Sequence, residues 1–126
     1  MVENFDCSAS VSEGTAEFSL AVTPELFHGA GALHGALYFF AMDNAAMLAA
    51  NSYVTDVCVV TQDFTTHFLK PVSDGRVKAM ARVIDGDAKR FHTKAVLYDS
   101  KNREIGRGDG IFVRSRYPLS KIAGCS

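Results

Sequence analysis

Residues 37–52, LYFFAMDNAAMLAANS, decide the fold. The run is rich in Ala, Leu and Met and holds neither Gly nor Pro. With Gly35 in front of it, the pattern predicts a helix from about Gly35 to Ser52. A helix on a protein surface carries one apolar stripe and one polar face. Here Leu37, Tyr38, Phe39, Phe40, Met42, Met47, Leu48 and the alanines cover it nearly all round. Asp43 interrupts the run, which falls short of the about 20 apolar residues that a membrane span needs. Such a helix has to be wrapped by a sheet, with further cover from a neighbouring subunit.

In the middle of this apolar surface sits Asp43-Asn44. Burying a carboxylate without partners costs several kcal/mol or keeps it protonated, so the group is either paired or used. Local backbone donors, or Asn44 across an interface, would satisfy it structurally. A catalytic role is the other reading, and the helix alone does not choose between them.

Outward from the helix, Thr15–Thr23 alternates Phe18, Leu20 and Val22 against Glu17, Ser19 and Ala21, which predicts a strand ended by Pro24. A Gly-rich turn, Phe27 to Ala32, leads into the helix. Beyond the helix, Val57–Lys70, Arg76–Ile84, Arg90–Asp99 and Glu104–Arg114 read as strands, with a turn at Asp99-Ser100-Lys101-Asn102. The short spacings predict hairpins and an antiparallel sheet. One long central helix against five mainly antiparallel strands is an α+β layout in a single domain. Residues 1–13 read as a loose lead-in and residues 115–126 as a mobile tail.

Gly29, Gly31 and Gly35 give a GxGxxxG spacing. A dinucleotide-binding unit needs a strand running straight into the glycines and a parallel continuation. Pro24 and the antiparallel remainder exclude it. The turn either lets the chain bend sharply or delivers backbone N–H groups at a helix N-terminus, where an anion or developing oxyanion is favoured.

With 13 Lys+Arg against 14 Asp+Glu, scattered along the chain, there is no charge excess to attract nucleic acid or an anionic membrane. Cys7, Cys58 and Cys125 are dispersed and odd in number, which argues against a disulfide framework or a cysteine zinc site and suits a reducing, cytoplasmic setting. The acidic, polar start MVENFDCSAS does not read as a signal peptide. His67 and His92 have no acidic residue at ligand spacing and read as surface or satisfied histidines, so no metal is expected. Gly106, Gly108 and Gly110 alternate along the last strand and read as a bulge ahead of a close approach. No GxSxG elbow supports a serine hydrolase.

Leu33-His34-Gly35-Ala36, followed by Asp43, resembles the HGG…D signature of hotdog-fold thioesterases. The branch it is most similar to is the PaaI-like and hydroxybenzoyl-CoA thioesterase group. Asp63–Pro71 and Gly106–Val113 resemble two strands of that group, so the likeness runs from about residue 15 to 114. It implies a hotdog fold and hydrolysis of an acyl-CoA or aryl-CoA thioester in a homodimer, or a homotetramer built as a dimer of dimers. Coenzyme A would be part of the substrate, and no cofactor is implied. The resemblance makes Asp43 the nucleophile or general base and gives the N–H of Gly35 or Ala36 to the thioester oxygen. His34 would order the turn, Thr61 would assist the carboxylate or its water, and Lys89 and Arg90 would meet the CoA phosphates. Asn44 and Phe40 are further candidates for substrate contact. Relatives carry a second Gly where this chain has Ala36, and Asn where it has His28, whose imidazole brings different geometry and charge.

Helix geometry favours a shared site on its own terms. Gly35 and Asp43 stand roughly 12 Å apart along the axis. A carboxylate and an oxyanion donor must each come within about 3 Å of the same thioester group. Two antiparallel helices across a two-fold axis satisfy both demands. Two other classes fit the resemblance: an acyl-CoA-binding hotdog protein without turnover, and a hotdog hydratase or dehydratase. The hydratase is disfavoured by the lack of a separate His–acid motif.

Overall fold

The computed structural model describes residues 7–21, 35–54, 57–71, 75–87 and 89–118. Its elements, in chain order, are β1 (Cys7–Ser12), β2 (Thr15–Ala21), α1 (Gly35–Asn51), β3 (Val57–Phe68), β4 (Arg76–Gly86), β5 (Arg90–Tyr98) and β6 (Glu104–Pro118). The strands form one antiparallel sheet in the order β1-β2-β4-β5-β6-β3. The helix touches all six strands, but it buries one stripe: its apolar residues Leu37, Phe40, Met47 and Leu48 are only partly covered and Phe39 is exposed. Ala41, Met42, Ala45, Ala46, Ala49 and Ala50 are buried against the sheet, and the small alanines let helix and sheet approach closely. The other half of the core comes from the inner rows of the sheet, including Phe18, Leu20, Val77, Phe91, Leu97, Ile105 and Phe112. Thr93, wholly buried, is satisfied by donating to the Gly110 carbonyl at 3.2 Å.

Three expectations need correction. The sheet has six strands, because Cys7–Ser12 lies within the expected lead-in and pairs along its whole length with β2. Its alternation is silent in the sequence: Ser8, Ser10 and Ser12 alternate with Ala9 and an exposed Val11, so backbone pairing rather than burial holds it. The turn that makes this possible uses Gly14 at φ 76°, a conformation that favours glycine. The second correction is at the other end, where β6 continues through Ser115 to Pro118, beyond the expected stop at Arg114. Third, β3 and β4 are not a hairpin. β3 crosses to the far edge and pairs with β6, while β4 pairs with β2.

The helix and β3 are fastened together at both ends. Near the helix start, the Tyr38 hydroxyl donates to the Lys70 carbonyl at 2.5 Å, just past the end of β3. At the helix end, the Asn51 amide donates to the carbonyls of Val54 (3.0 Å) and Val57 (3.2 Å). Its oxygen accepts the Val59 N–H at 2.8 Å. One side chain thus satisfies three backbone groups where the helix gives way to the strand.

Within β3 the pairing with β6 slips by one residue: Thr61 pairs with Phe112 and Asp63 with Ile111, leaving Gln62 extra. The consequence is directional. In a regular strand, residues three apart point to opposite faces. With the bulge, Thr61 reaches the helix, and Phe64, opposite Gly110, does too. Against β3 the alternating glycines of β6 pair without a break, Gly110 to Gly106 with Phe64 to Phe68, whereas against β5 the register slips beside Gly106, where Leu97 pairs with Gly106 and Tyr98 with Glu104. Gly108 and Gly110 are places of close approach. A Cβ at Gly108 or Gly110 would fall 2.5 or 2.6 Å from the Phe64 ring.

Asn51→Ala would leave one backbone N–H and two carbonyls without their side-chain partner. The expected cost is about 2–3 kcal/mol, measured by urea unfolding against the wild type. An unchanged midpoint would mean that water replaces the amide and that the helix end is not held by it.

Candidate active site

Asp43 lies mid-helix, with Tyr38 and Met42 buried towards the sheet and Phe39, Asp43 and Met47 on the side that the sheet covers only in part. Its Oδ1 accepts a hydrogen bond from the Thr61 hydroxyl at 2.8 Å. Burial raises the Asp43 pKa above the ordinary carboxylate value, and the Thr61 hydrogen bond opposes that shift. The carboxylate therefore has one bond to the fold and a desolvated position that raises its basicity.

The other residues singled out in the sequence fall at different distances from this pair. Gly35 and Ala36 are the first two residues of the helix, where N–H groups have no acceptor within the helix itself. The Asn44 amide turns back to its own helix, donating to the Phe40 carbonyl at 2.7 Å. The Phe40 ring packs edge-on against Phe18, at 5.7 Å between centroids, on the β2 side of the helix. Lys89 and Arg90 stand exposed in the β4–β5 hairpin, where both backbone N–H groups donate to the Asp87 carboxylate, at 2.8 and 3.0 Å. His28 and His34 lie outside the described residues.

The sequence reading did not foresee the part of Phe64 in the aromatic wall beside the carboxylate. One turn before Asp43, the Phe39 ring meets Phe64 edge-on at 5.4 Å, and Phe64 in turn meets Phe112 at 6.4 Å. The alternating glycines were the available signal, because a large ring needs a gap in the facing strand.

On the outer face of the sheet, His92 pairs with the Asp109 carboxylate, whose other oxygen lies 3.7 Å from Lys94 Nζ. That histidine is satisfied structurally. A concavity of about 490 Å³ opens near it, lined by Met80, Arg82, Lys94, Val96 and Tyr98 among others. A second, of about 690 Å³, lies at the helix end between Tyr53, Phe91 and Arg114. Asp43 lines neither of them. Among the described residues there is no cluster of His, Cys, Asp and Glu that could hold a metal ion, and no helix long and apolar enough to cross a membrane.

Comparison with known proteins agrees with this architecture. The sequence profile of the thioesterase superfamily matches residues 30–105, a span that includes the helix, Asp43 and Thr61. A Sulfurisphaera tokodaii protein, provisionally named an esterase, is 28% identical over 102 residues, covering 81% of this chain and 76% of its own. The fold is shared with a conserved protein of Pseudomonas aeruginosa at a TM-score of 0.84, with 26% identity over 90% of this chain and 91% of that one. It is also shared with the PaaI protein of the E. coli phenylacetic acid degradation operon, again at 0.84, with 22% identity over 93% of this chain and 85% of that one. A profile match over most of the chain, on a long helix wrapped by an antiparallel sheet, places this protein in the thioesterase superfamily with a hotdog fold.

Proposed function

We infer that this protein hydrolyses an acyl-CoA or aryl-CoA thioester to the free acid and CoA, with Asp43 as the catalytic carboxylate. The observation that carries this reading is the half-buried Asp43, held by Thr61 at 2.8 Å on the helix side that the sheet leaves partly open. Such a carboxylate is costly for the fold, and the family chemistry gives it a use.

In the reaction, water attacks the thioester carbon and passes a proton to Asp43. The oxygen that gains charge is met by the N–H groups of Gly35 or Ala36 at the positive end of the helix dipole. Collapse of that oxyanion breaks the carbon–sulfur bond, and the departing CoA thiolate takes up the proton. Direct attack by Asp43, through an anhydride that water then opens, gives the same products. Thr61 holds Oδ1, which leaves Oδ2 to face the water or the carbon. The family resemblance gives Lys89 and Arg90 to the CoA phosphates and Asn44 and Phe40 to substrate contact; it also gives roles at the thioester to His34 and His28, which lie outside the described residues.

The site is completed by a second copy. The exposed apolar residues Val60, Phe68 and Leu69 follow the open edge of β3, and Phe39 stands beside them at 39% exposure. An unpaired edge strand with apolar neighbours favours pairing with another chain. A homodimer through this edge brings the helix start of one chain towards Asp43 of the other. The exposed Met80 on the outer face of the sheet suits a further pairing into a tetramer. The odd number of dispersed cysteines suits a cytoplasmic setting.

The test is free-thiol release from a panel of short, long and aryl acyl-CoAs. Asp43→Ala, still folded and dimeric, should lose at least about 100-fold in rate. Binding of acyl-CoA without hydrolysis by the wild type would replace this reading with that of a binding protein.

The pH dependence has a definite sign. Asp43 must be ionised to act, so kcat/KM should fall as pH drops through its raised pKa, at a higher pH than for an ordinary carboxylate. Thr61→Val removes the hydrogen bond that lowers this pKa, so the acid limb should move further up in pH. An unmoved limb would assign the titration to another group.

Stability should respond in the opposite sense to activity. A folded-state pKa above the unfolded one favours the fold at low pH, and that contribution is lost as pH rises through the folded value. At neutral pH ionised Asp43 therefore works against folding. Asp43→Asn, whose Oδ1 still accepts from Thr61, should be inactive yet melt no lower than the wild type. A clear drop in Tm would show that the ionised carboxylate holds the fold together.

A further inference from the structure

We propose that Phe64 sets the length of the acyl group that this site accepts, and that the glycine pair beneath it is a filled extension of the acyl pocket. The proposal rests on Asp43 marking the reacting end of the thioester.

Apolar surface borders Asp43 on its own helix face in two places: Phe39, one turn towards the helix start, and Met47, one turn towards its end. On the Phe39 side the apolar surface continues through Phe64 to Phe112. Phe39 meets Phe64 at 5.4 Å, and Phe64 fills the room above β6 that Gly108 and Gly110 leave empty. A Cβ on Gly108 would lie 2.5 Å from the ring and 3.4 Å from Met42 Sδ. On Gly110 it would lie 2.6 Å from the ring and 3.0 Å from Phe112. The space under Phe64 is therefore bounded by backbone, a methionine and an aromatic ring, with no charged group among those neighbours. An acyl group running from Asp43 along Phe39 ends against the Phe64 ring. Removing the ring would let it continue to the β6 backbone. The bulge at Gln62 is what turns Phe64 inward while Thr61 holds Asp43, so carboxylate and stop are set by one distortion of β3.

This geometry favours short-chain or aryl acyl groups in the wild type, since an aromatic wall suits a flat ring and stops a long chain. Hydrophobic pockets discriminate by about tenfold or more for each methylene they accept or refuse. The experiment measures kcat/KM for straight-chain acyl-CoAs of increasing length in the wild type, Phe64→Ala, Phe64→Leu, Gly108→Ala and Met47→Ala. Oligomeric state and Tm are recorded for each variant. Phe64→Ala should raise the ratio of long-chain to short-chain kcat/KM by at least about tenfold. Phe64→Leu, which keeps an apolar side chain over the glycines and guards against loss of folding, should give a smaller rise. Gly108→Ala pushes the ring towards the carboxylate and should lower the ratio.

An unchanged ratio in both Phe64 variants, or a shift that appears in Met47→Ala instead, overturns the proposal. Affinities for non-hydrolysable thioether analogues of the same acyl-CoAs, read by calorimetry, give the length profile without turnover. Failure of hydrolysis is thereby separated from failure of the length assignment: the first would show no thiol release in any protein, the second no change in the binding profile.

Discussion

Asn51 binds three backbone groups of the segment that leads into β3, and the candidate site depends on the register this fixes. Helix and strand are joined at one end by this amide and at the other by the Tyr38 hydroxyl on Lys70. Between these attachments Asp43 and Thr61 meet at 2.8 Å. A shift of one residue in either element would turn Asp43 by about 100° around the helix or move Thr61 to the other face of the sheet. The bulge at Gln62 is a second fixed point, because it lets residues three apart on β3 both face the helix.

The same arrangement explains how a carboxylate is tolerated in an apolar helix. Desolvation raises its pKa, and one hydroxyl donor offsets part of that effect without neutralising the group. A buried arginine or several backbone N–H groups would have stabilised the charge further and made it a poorer base. Asp99 shows the contrast within this chain. It accepts the N–H groups of Lys101 and Arg103 and the Arg103 guanidinium, and its pKa is lowered, chiefly by the Arg103 N–H. One aspartate is fully engaged in closing a turn, and the other is left with its reactivity.

Much of this was legible in the sequence. The helix stands where its Ala, Leu and Met content puts it, ending one residue before the expected Ser52, and its all-round apolar surface correctly implied a wrapping sheet. β2, β4 and β5 follow their alternation. β1 was not legible, because serine and alanine alternate without a hydrophobic signal and pairing with β2 is purely a matter of backbone. The crossing of β3 to the far edge was hidden too, since strand order depends on which faces the helix covers and not on local spacing. At the site, Asp43 stood out as a charge in an apolar run, whereas Thr61 was reached only through family resemblance. Phe64 was missed because its meaning lies in the glycines of another strand, and those glycines read first as a bulge.

The central claim is that one catalytic site is built from two chains, with Asp43 from one and the helix start from the other. The most direct measurement mixes two inactive variants, Asp43→Ala and Ala36→Pro. The proline removes one backbone N–H in the first helical turn, where that residue is best tolerated. Each variant alone should lose at least about 100-fold in thiol release from acyl-CoA. After unfolding and refolding together, half of the dimers pair one chain of each kind, and each of these holds one intact site of two. The account predicts about a quarter of wild-type activity from the mixture. A mixture as inactive as its components would contradict it, and would confine any catalysis to the residues of a single chain.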